Sequence, residues 1–281
     1  MATVMQNKGL MPTEALKDWH FDFSVINDDE RLNESFKLRY EVYCNERQFL
    51  RCEDYPTKLE IDPFDAHSIH VGGHNQDGVM IGTVRLVLAS PIGFPLFEHC
   101  ELFPEYDYLR DKTRLLTCAE ISRLAISKMY RRRQNDGLYG LEYRRDFDPE
   151  LAERPAPAAP VQMPEGAQER RNKPEIILGL YKGMYQQSKR QGITHWFVAM
   201  EKTLLRLLHR FNFDFTPIGP ELDYYGPVVP YIAVVADIEE VVCRKNPDLF
   251  LEFMVGLEPE FLPQCAKDLI KSREIANANN H

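Results

Sequence analysis

Positive charge is scarce in this sequence. Lysine and arginine number 34 against 43 aspartates and glutamates, a formal net charge of -9. Non-specific nucleic-acid binding needs clustered Lys and Arg to neutralise phosphates, so the acidic balance argues against it. Paired cysteines are also missing. The six cysteines, at 44, 52, 100, 118, 243 and 265, form no C-x-x-C, which argues against a zinc ribbon or a thioredoxin-like site. No apolar run approaches the roughly 20 residues that span a bilayer. A basic start followed by an apolar stretch is absent too, so a reducing cytoplasm is the expected compartment. There is no internal repeat.

What is present suits a globular protein. Apolar residues make up 44% and charged residues 27% of 281 residues, enough for one large domain or one domain with additions. Residues 1–20 read as a loosely held leader. Residues 21–26 alternate as a strand does. Asn27, Asp28 and Asp29 then offer capping side chains to a helix over roughly 30–48, marked by Leu32, Phe36, Tyr40 and Tyr43. Residues 59–67 read as an acidic loop. Strands over 68–73 and 79–88 flank the turn Asn75-Gln76-Asp77-Gly78 and form a hairpin. An irregular stretch, with a short helix near Phe97, leads to a strand over 115–127.

Residues 131–173 break this pattern. They open with Arg131, Arg132 and Arg133 and carry Pro149, Pro155, Pro157, Pro160 and Pro164. Residues 152–166 have little to bury and read as a flexible insertion. Beyond it, Ile176, Ile177, Leu180, Tyr181 and Met184 mark an amphipathic helix that stops at Gly192. A strand over 195–200, a helix marked by Leu204, Leu205 and Leu208, and a strand over 231–236 follow. Residues 237–281 form a helical extension that restarts at Asn246-Pro247. The order predicts an α/β (α+β) domain over 21–236, with a mixed central sheet and helices on both faces.

Four places carry charge where packing alone prefers none. Arg39 follows Phe36 by three residues and precedes Tyr43 by four, so it falls on the apolar side of its helix. It is either a snorkelling side chain or a functional one. Glu60, Asp62 and Asp65 crowd three carboxylates into six residues. They suit a cation, an ammonium group or a partner arginine, or they are a solvated loop; the spacing is not that of a calcium loop. Arg85 sits in the apolar strand Met80-Ile81-Gly82-Thr83-Val84-Arg85-Leu86, where it needs a carboxylate unless that face is partly exposed. Glu120 and Arg123 would point to opposite faces of a regular strand. A β-bulge between them would bring both to one side. Read otherwise, they are two unrelated charges on a sheet-edge strand.

Together these pieces resemble the acyl-homoserine-lactone synthase family. The matching residues are Arg39-Tyr40-Glu41-Val42-Tyr43 with Phe49, Glu60-Ile61-Asp62-Pro63-Phe64-Asp65, Gly82-Thr83-Val84-Arg85-Leu86 with Pro95 and Phe97, and Glu120-Ile121-Ser122-Arg123. The resemblance covers residues 20–130 and, by element order alone, 174–236. It implies a GNAT-like fold, an acyl group delivered by acyl-carrier protein, and S-adenosylmethionine as acceptor. Arg39, Glu60, Asp62, Asp65, Arg85, Glu120 and Arg123 would then bind or organise the acceptor. The chain departs from that family in its insertion, its C-terminal extension and the lack of a tryptophan near Phe49. It is more similar to acyltransferases of PEP-CTERM/exosortase systems and to N-acyl amino acid synthases, which implies a different small amine as acceptor.

An ammonium group must lose a proton before it attacks a thioester. Glu120 is the candidate base, directly or through water. Backbone N–H groups around 124–126 are the candidate oxyanion donors. Arg39, Arg85 and Arg123 would hold an acceptor carboxylate or brace Asp62 and Asp65. Cys118 reads as packing, and no residue suggests a covalent acyl-enzyme. Phe197, Met200, Leu204 and Tyr181 are candidate lining for an acyl tunnel, or plain core. The acetyl-CoA type of glycine-rich pyrophosphate loop is missing. Arg131, Arg132 and Arg133 either meet a phosphopantetheine phosphate or an acidic carrier helix by charge, or begin a solvated insertion. The expected donor is an acyl-phosphopantetheine thioester, with no bound cofactor or metal. A catalytically silent module that binds acyl carriers is the alternative from another class.

Overall fold

The computed structural model describes residues 21–111, 115–130 and 175–278. The leader, the core of the insertion and Arg131, Arg132 and Arg133 lie outside the described residues. One sheet organises the rest. Its strands are β1 (Asp22–Val25), β2 (Ser68–His74), β3 (Met80–Leu88), β4 (Cys118–Ile126), β5 (His195–Met200), β6 (Thr216–Pro217), β7 (Leu222–Asp223) and β8 (Pro227–Val234). The order is β1-β2-β3-β4-β5-β8-β6, with β7 pairing β8 off that path. Every pairing is antiparallel except β4 with β5, which is parallel. Asn75 makes the β2–β3 turn: its Oδ1 accepts from Asp77 N and Val79 N, and its carbonyl accepts from Gly78 N.

Helices cover both faces, as the element order predicts. On one face lie α1 (Asp29–Tyr40), capped by Asp28, and the short α2 (Pro95–His99). On the other lie α3 (Glu175–Arg190), α4 (Lys202–Arg210), α5 (Val235–Lys245), α6 (Pro247–Met254) and α7 (Gln264–Ala278). The main apolar core fills that second side, joining Val71, Val84 and Leu86 of the sheet to Leu180, Tyr181 and Met184 of α3 and Phe250 and Phe253 of α6. Helix α3 approaches the sheet through glycines. A Cβ on Gly179 would stand 2.2 Å from the Phe23 ring, and one on Gly183 would stand 2.7 Å from Val71.

Several boundaries differ from the sequence reading. The first helix stops being α-helical at Tyr40 and continues as a π-turn over Glu41–Glu46, with Arg47 N donating to Val42 O. Apolar spacing cannot separate these two helical forms, because both keep Tyr43 on the inner side. The acidic loop holds a 3-10 turn over Pro63–His67, which Pro63 starts at its first position. The last strand ends at Val234, and Val235 and Ala236 open α5 instead. An apolar β-branched run does not distinguish a buried strand from a buried helix start. Two-residue β6 and β7 carry no periodicity and went unpredicted. Helix α3 ends at Arg190, just before Gly192 with φ of +66°. Among the described residues no helix is long and apolar enough to cross a membrane.

Candidate active site

The charged residues singled out in the sequence meet on the α1 face of the sheet, mostly in one closed ring. Arg39 comes from α1, Arg85 from β3, Arg123 from β4, and the three carboxylates from the segment between the π-turn and β2. Glu60 takes Arg39 Nη2 at 2.5 Å on Oε2 and Arg123 Nε at 3.0 Å on Oε1. Asp65 takes Arg39 Nη1 at 2.7 Å and Arg85 Nη1 at 2.8 Å on Oδ1. Asp62 takes Arg85 Nη1 at 2.6 Å on Oδ1 and Arg123 Nη2 at 3.0 Å on Oδ2. Each carboxylate thus bridges two arginines, and each arginine bridges two carboxylates. The six formal charges cancel, and Arg39, Glu60 and Arg85 are at most 1% exposed, while Asp62 keeps 17% of its side chain open to the cleft. Pairing every charge is what makes such burial tolerable, although Arg85 Nη2 is left without a hydrogen-bond partner.

Local sequence builds this ring. Asp62 caps the 3-10 turn by accepting from Phe64 N at 2.9 Å, and Asp65 accepts from Asp62 N at 2.8 Å. The capping box therefore orients both carboxylates through local backbone contacts, independently of the arginines. Burial pushes the Asp65 carboxyl up, but the Arg39 hydrogen bond and the Arg39 and Arg85 charges outweigh it and hold it well below the usual range. Ser122 Oγ accepts from Arg85 Nε at 3.0 Å and holds that edge of the guanidinium. His70 lies alongside, with Nε2 3.7 Å from Asp65 Oδ1. Burial lowers its pKa to about 4, so it is neutral at pH 7.

A bulge is present, but one step further on than expected: pairing with β3 is regular through Glu120, Ile121 and Ser122, and the irregularity falls at Arg123–Leu124. Opposite β3, pairing jumps from Thr83↔Ala125 to Arg85↔Ser122, so β4 carries one extra residue. Arg123 has φ of +53°, an unusual conformation for a side chain of its size. Its ion pairs to Glu60 and Asp62, and its stacking at 4.8 Å over the Tyr225 ring, hold it there. The parallel pairing of β4 with β5 has its last partners at Ile121↔Val198, although both strands run on. Beyond that point the strands part. The gap is lined by Glu120, Ser122 and Arg123 from β4, Met200 from β5, and Tyr43, Phe49 and Tyr225.

Glu120 is outside the ring of charges. It is 2% exposed, and its Oε2 accepts from Leu96 N at 2.8 Å. Burial raises its pKa to about 7, against the opposing pull of the Leu96 N–H and the nearby arginines. A carboxyl near neutrality can take a proton and give it up again at physiological pH. Next to the gap, and sharing Arg123, Tyr224 and Tyr225 as walls, lies a cleft of about 380 Å³. Tyr55, Asp62, Ile92, Pro95, Glu98 and His99 complete much of its lining. The His99 ring stacks on Tyr224 at 4.3 Å, and Tyr224 lies 4.4 Å from Tyr225. Sequence reasoning missed this aromatic wall. Its one visible signal was the pair Tyr224-Tyr225 before Gly226, where a turn has no packing need for two rings.

The expectation for the acyl tunnel is corrected. Phe197, Met200, Leu204 and Tyr181 do not line one tunnel. Successive strand residues point to opposite faces. Phe197 therefore packs with Phe94 and Phe97 at 5.7 and 5.1 Å on the α2 side, while Tyr181 and Leu204 belong to the core beneath α3. Only Met200 reaches the gap. The Leu124 carbonyl, in the stretch considered for oxyanion donors, accepts from Tyr43 Oη at 3.0 Å. Cys118 is packed among apolar side chains, and burial pushes its thiol to about 11, the state of a core residue and not of a nucleophile. Among the described residues no group of three or more His, Cys, Asp or Glu is placed to hold a metal; the ring carboxylates are committed to arginines.

Comparison with known proteins agrees with this architecture. An acetyltransferase (GNAT) domain model matches residues 38–139. The structure of TofI in complex with an inhibitor and MTA superposes with a TM-score of 0.52 at 14% identity, covering 86% of this chain and 100% of that one. BjaI, a CoA-dependent acyl-homoserine lactone synthase solved with MTA, gives 0.50 at 17% identity, covering 84% and 99%. FeeM, an N-acyl amino acid synthase from uncultured soil microbes, gives 0.48 at 14%, covering 79% and 93%. No curated protein matches the chain. The eight-stranded, mostly antiparallel sheet flanked by helices is a GNAT-like fold. The acetyltransferase domain match supports an N-acyltransferase.

Proposed function

We propose that the chain transfers a long-chain fatty acyl group from the phosphopantetheine thioester of acyl-carrier protein to the amino group of an amino acid or similar small amine. The observation that carries this reading is the buried Glu120, raised to about 7, beside the gap where β4 and β5 part. The ammonium proton of the acceptor passes to Glu120, directly or through water. The freed amine attacks the thioester carbon, its nitrogen gives up a second proton, the carbon–sulfur bond breaks, and the leaving thiolate takes up that proton. The products are an amide and the free thiol. The closed ring of Arg39, Glu60, Asp62, Asp65, Arg85 and Arg123 organises the acceptor side, its arginines bracing Asp62 and Asp65. Arg131, Arg132 and Arg133 would meet the acidic carrier. The resemblance to PEP-CTERM/exosortase acyltransferases supports a bacterial, cytoplasmic setting for this reaction.

A second reading has one observation in its favour. BjaI, whose fold the chain shares, is also solved with SAM and isopentyl-CoA, so acyl-homoserine-lactone synthesis from S-adenosylmethionine, or CoA in place of the carrier, belongs in the same test. The protein is incubated with acyl-carrier protein or acyl-CoA and a panel of amines, and products are read by mass spectrometry. An acyl amide from the carrier thioester supports the proposal. An acyl-homoserine lactone supports the second reading. Binding of the carrier with no product from any acceptor would show a silent module instead.

A further inference from the structure

The cleft beside the bulge is poor in free positive charge. Arg39, Arg85 and Arg123 are the only buried arginines among the described residues, and all three are spent within the ring. Arg85 keeps an unpartnered Nη2, but its side chain is fully buried and offers nothing to a ligand. Arg123, the only arginine in the cleft wall, already serves Glu60 and Asp62 and meets the Tyr224 hydroxyl. Among the described residues, an acceptor carboxylate entering here finds no uncommitted guanidinium.

Free negative charge and aromatic faces are present instead. Glu98 projects from α2 into the cleft lining, is exposed, and has no ion-pair partner among the described residues. The same lining holds Tyr55, the His99 ring stacked on Tyr224, and Tyr225 tilted against Tyr224. Ring faces and a lone carboxylate attract a cation, and rings also cover an alkyl chain. The cleft and the gap holding Glu120 share Arg123, Tyr224 and Tyr225 as walls, so the two adjoin.

We infer that the acceptor is an aliphatic diamine or polyamine, held at its far ammonium group by Glu98 and the aromatic wall while its near amino group reaches the gap beside Glu120. This rests on the acyl-transfer reading for its purpose but not for its test. Binding of 1,5-diaminopentane, n-pentylamine and glutamate to the full chain, without any donor, is measured by titration calorimetry. The diamine should bind about tenfold more tightly than the monoamine, the size of one charge-assisted contact. Glu98→Gln, checked for an unchanged melting temperature, should bring that ratio close to one. Equal binding of diamine and monoamine, tighter binding of glutamate, no diamine binding, or a preference that survives Glu98→Gln overturns the inference. A diamine that binds as expected but is never acylated supports the inference and counts against the acyl-transfer reading.

Discussion

On β3, Val84 and Leu86 point beneath α3 into the main apolar core, while Arg85 between them points to the α1 face and joins six charges. Both sides are equally dry: Val84, Arg85 and Leu86 are each 0% exposed. The same strand therefore buries its residues by two different means. On one side, contact area and close packing stabilise the fold, and the groups are interchangeable within limits of volume. On the other, stability depends on each charge having its partners, and no member can be removed alone. The difference teaches where geometry is being fixed. The apolar side needs only to be filled, whereas the ring sets the angle of Arg123, the bulge, and with it the gap beside Glu120.

The comparison breaks first at Arg85. Arg85→Met should destabilise the protein by about 3–5 kcal/mol, because Asp62 and Asp65 lose a shared partner in a buried site; chemical denaturation measures it, and a loss below about 1 kcal/mol would mean the ring does not hold the fold. On the opposite face, Leu180→Ala should cost about 3 kcal/mol through an unfilled cavity. It should leave the pH dependence of turnover in place, whereas ring substitutions should disturb it. Ser122→Ala removes one hydrogen bond to Arg85 and should cost about 1 kcal/mol. Its effect should appear in turnover as well as in melting temperature, since Ser122 lies at the gap.

Much of the α1 face was legible in the sequence because its signals are local. Charges inside apolar periodicity marked Arg39 and Arg85, the carboxylate cluster marked Glu60, Asp62 and Asp65, and the wrong-parity pair Glu120 and Arg123 called for a bulge. The hairpin turn at Asn75–Gly78 was equally local. What could not be read is set by pairing between distant segments. Nothing near Glu120 says that β5 will lie parallel to β4 or that their pairing ends at Ile121↔Val198. Nothing near Tyr224 places it against His99, far earlier in the chain. Phe197 and Met200 looked alike as apolar residues, and strand parity then sent them to different faces. The ring's pairing scheme was also hidden, because six charges admit many partnerships until the strands fix their positions.

Glu120 is the group on which the functional account turns, and its titration has consequences in two measurements. Its folded pKa is raised from 4.5 to about 7, so the folded state holds a proton that the unfolded state releases. Stability from this group is full below pH 4.5 and falls as pH rises toward about 7. Glu120→Gln should flatten that decline. The direct test is the single-turnover rate of amide formation against pH, for the wild-type chain and for Glu120→Gln with a stability check. The account predicts a wild-type rate that rises through about pH 7 and levels off, and a variant slowed by roughly 10²–10⁴-fold with that rise gone. A Glu120→Gln variant that keeps both the rate and the pH profile would contradict it.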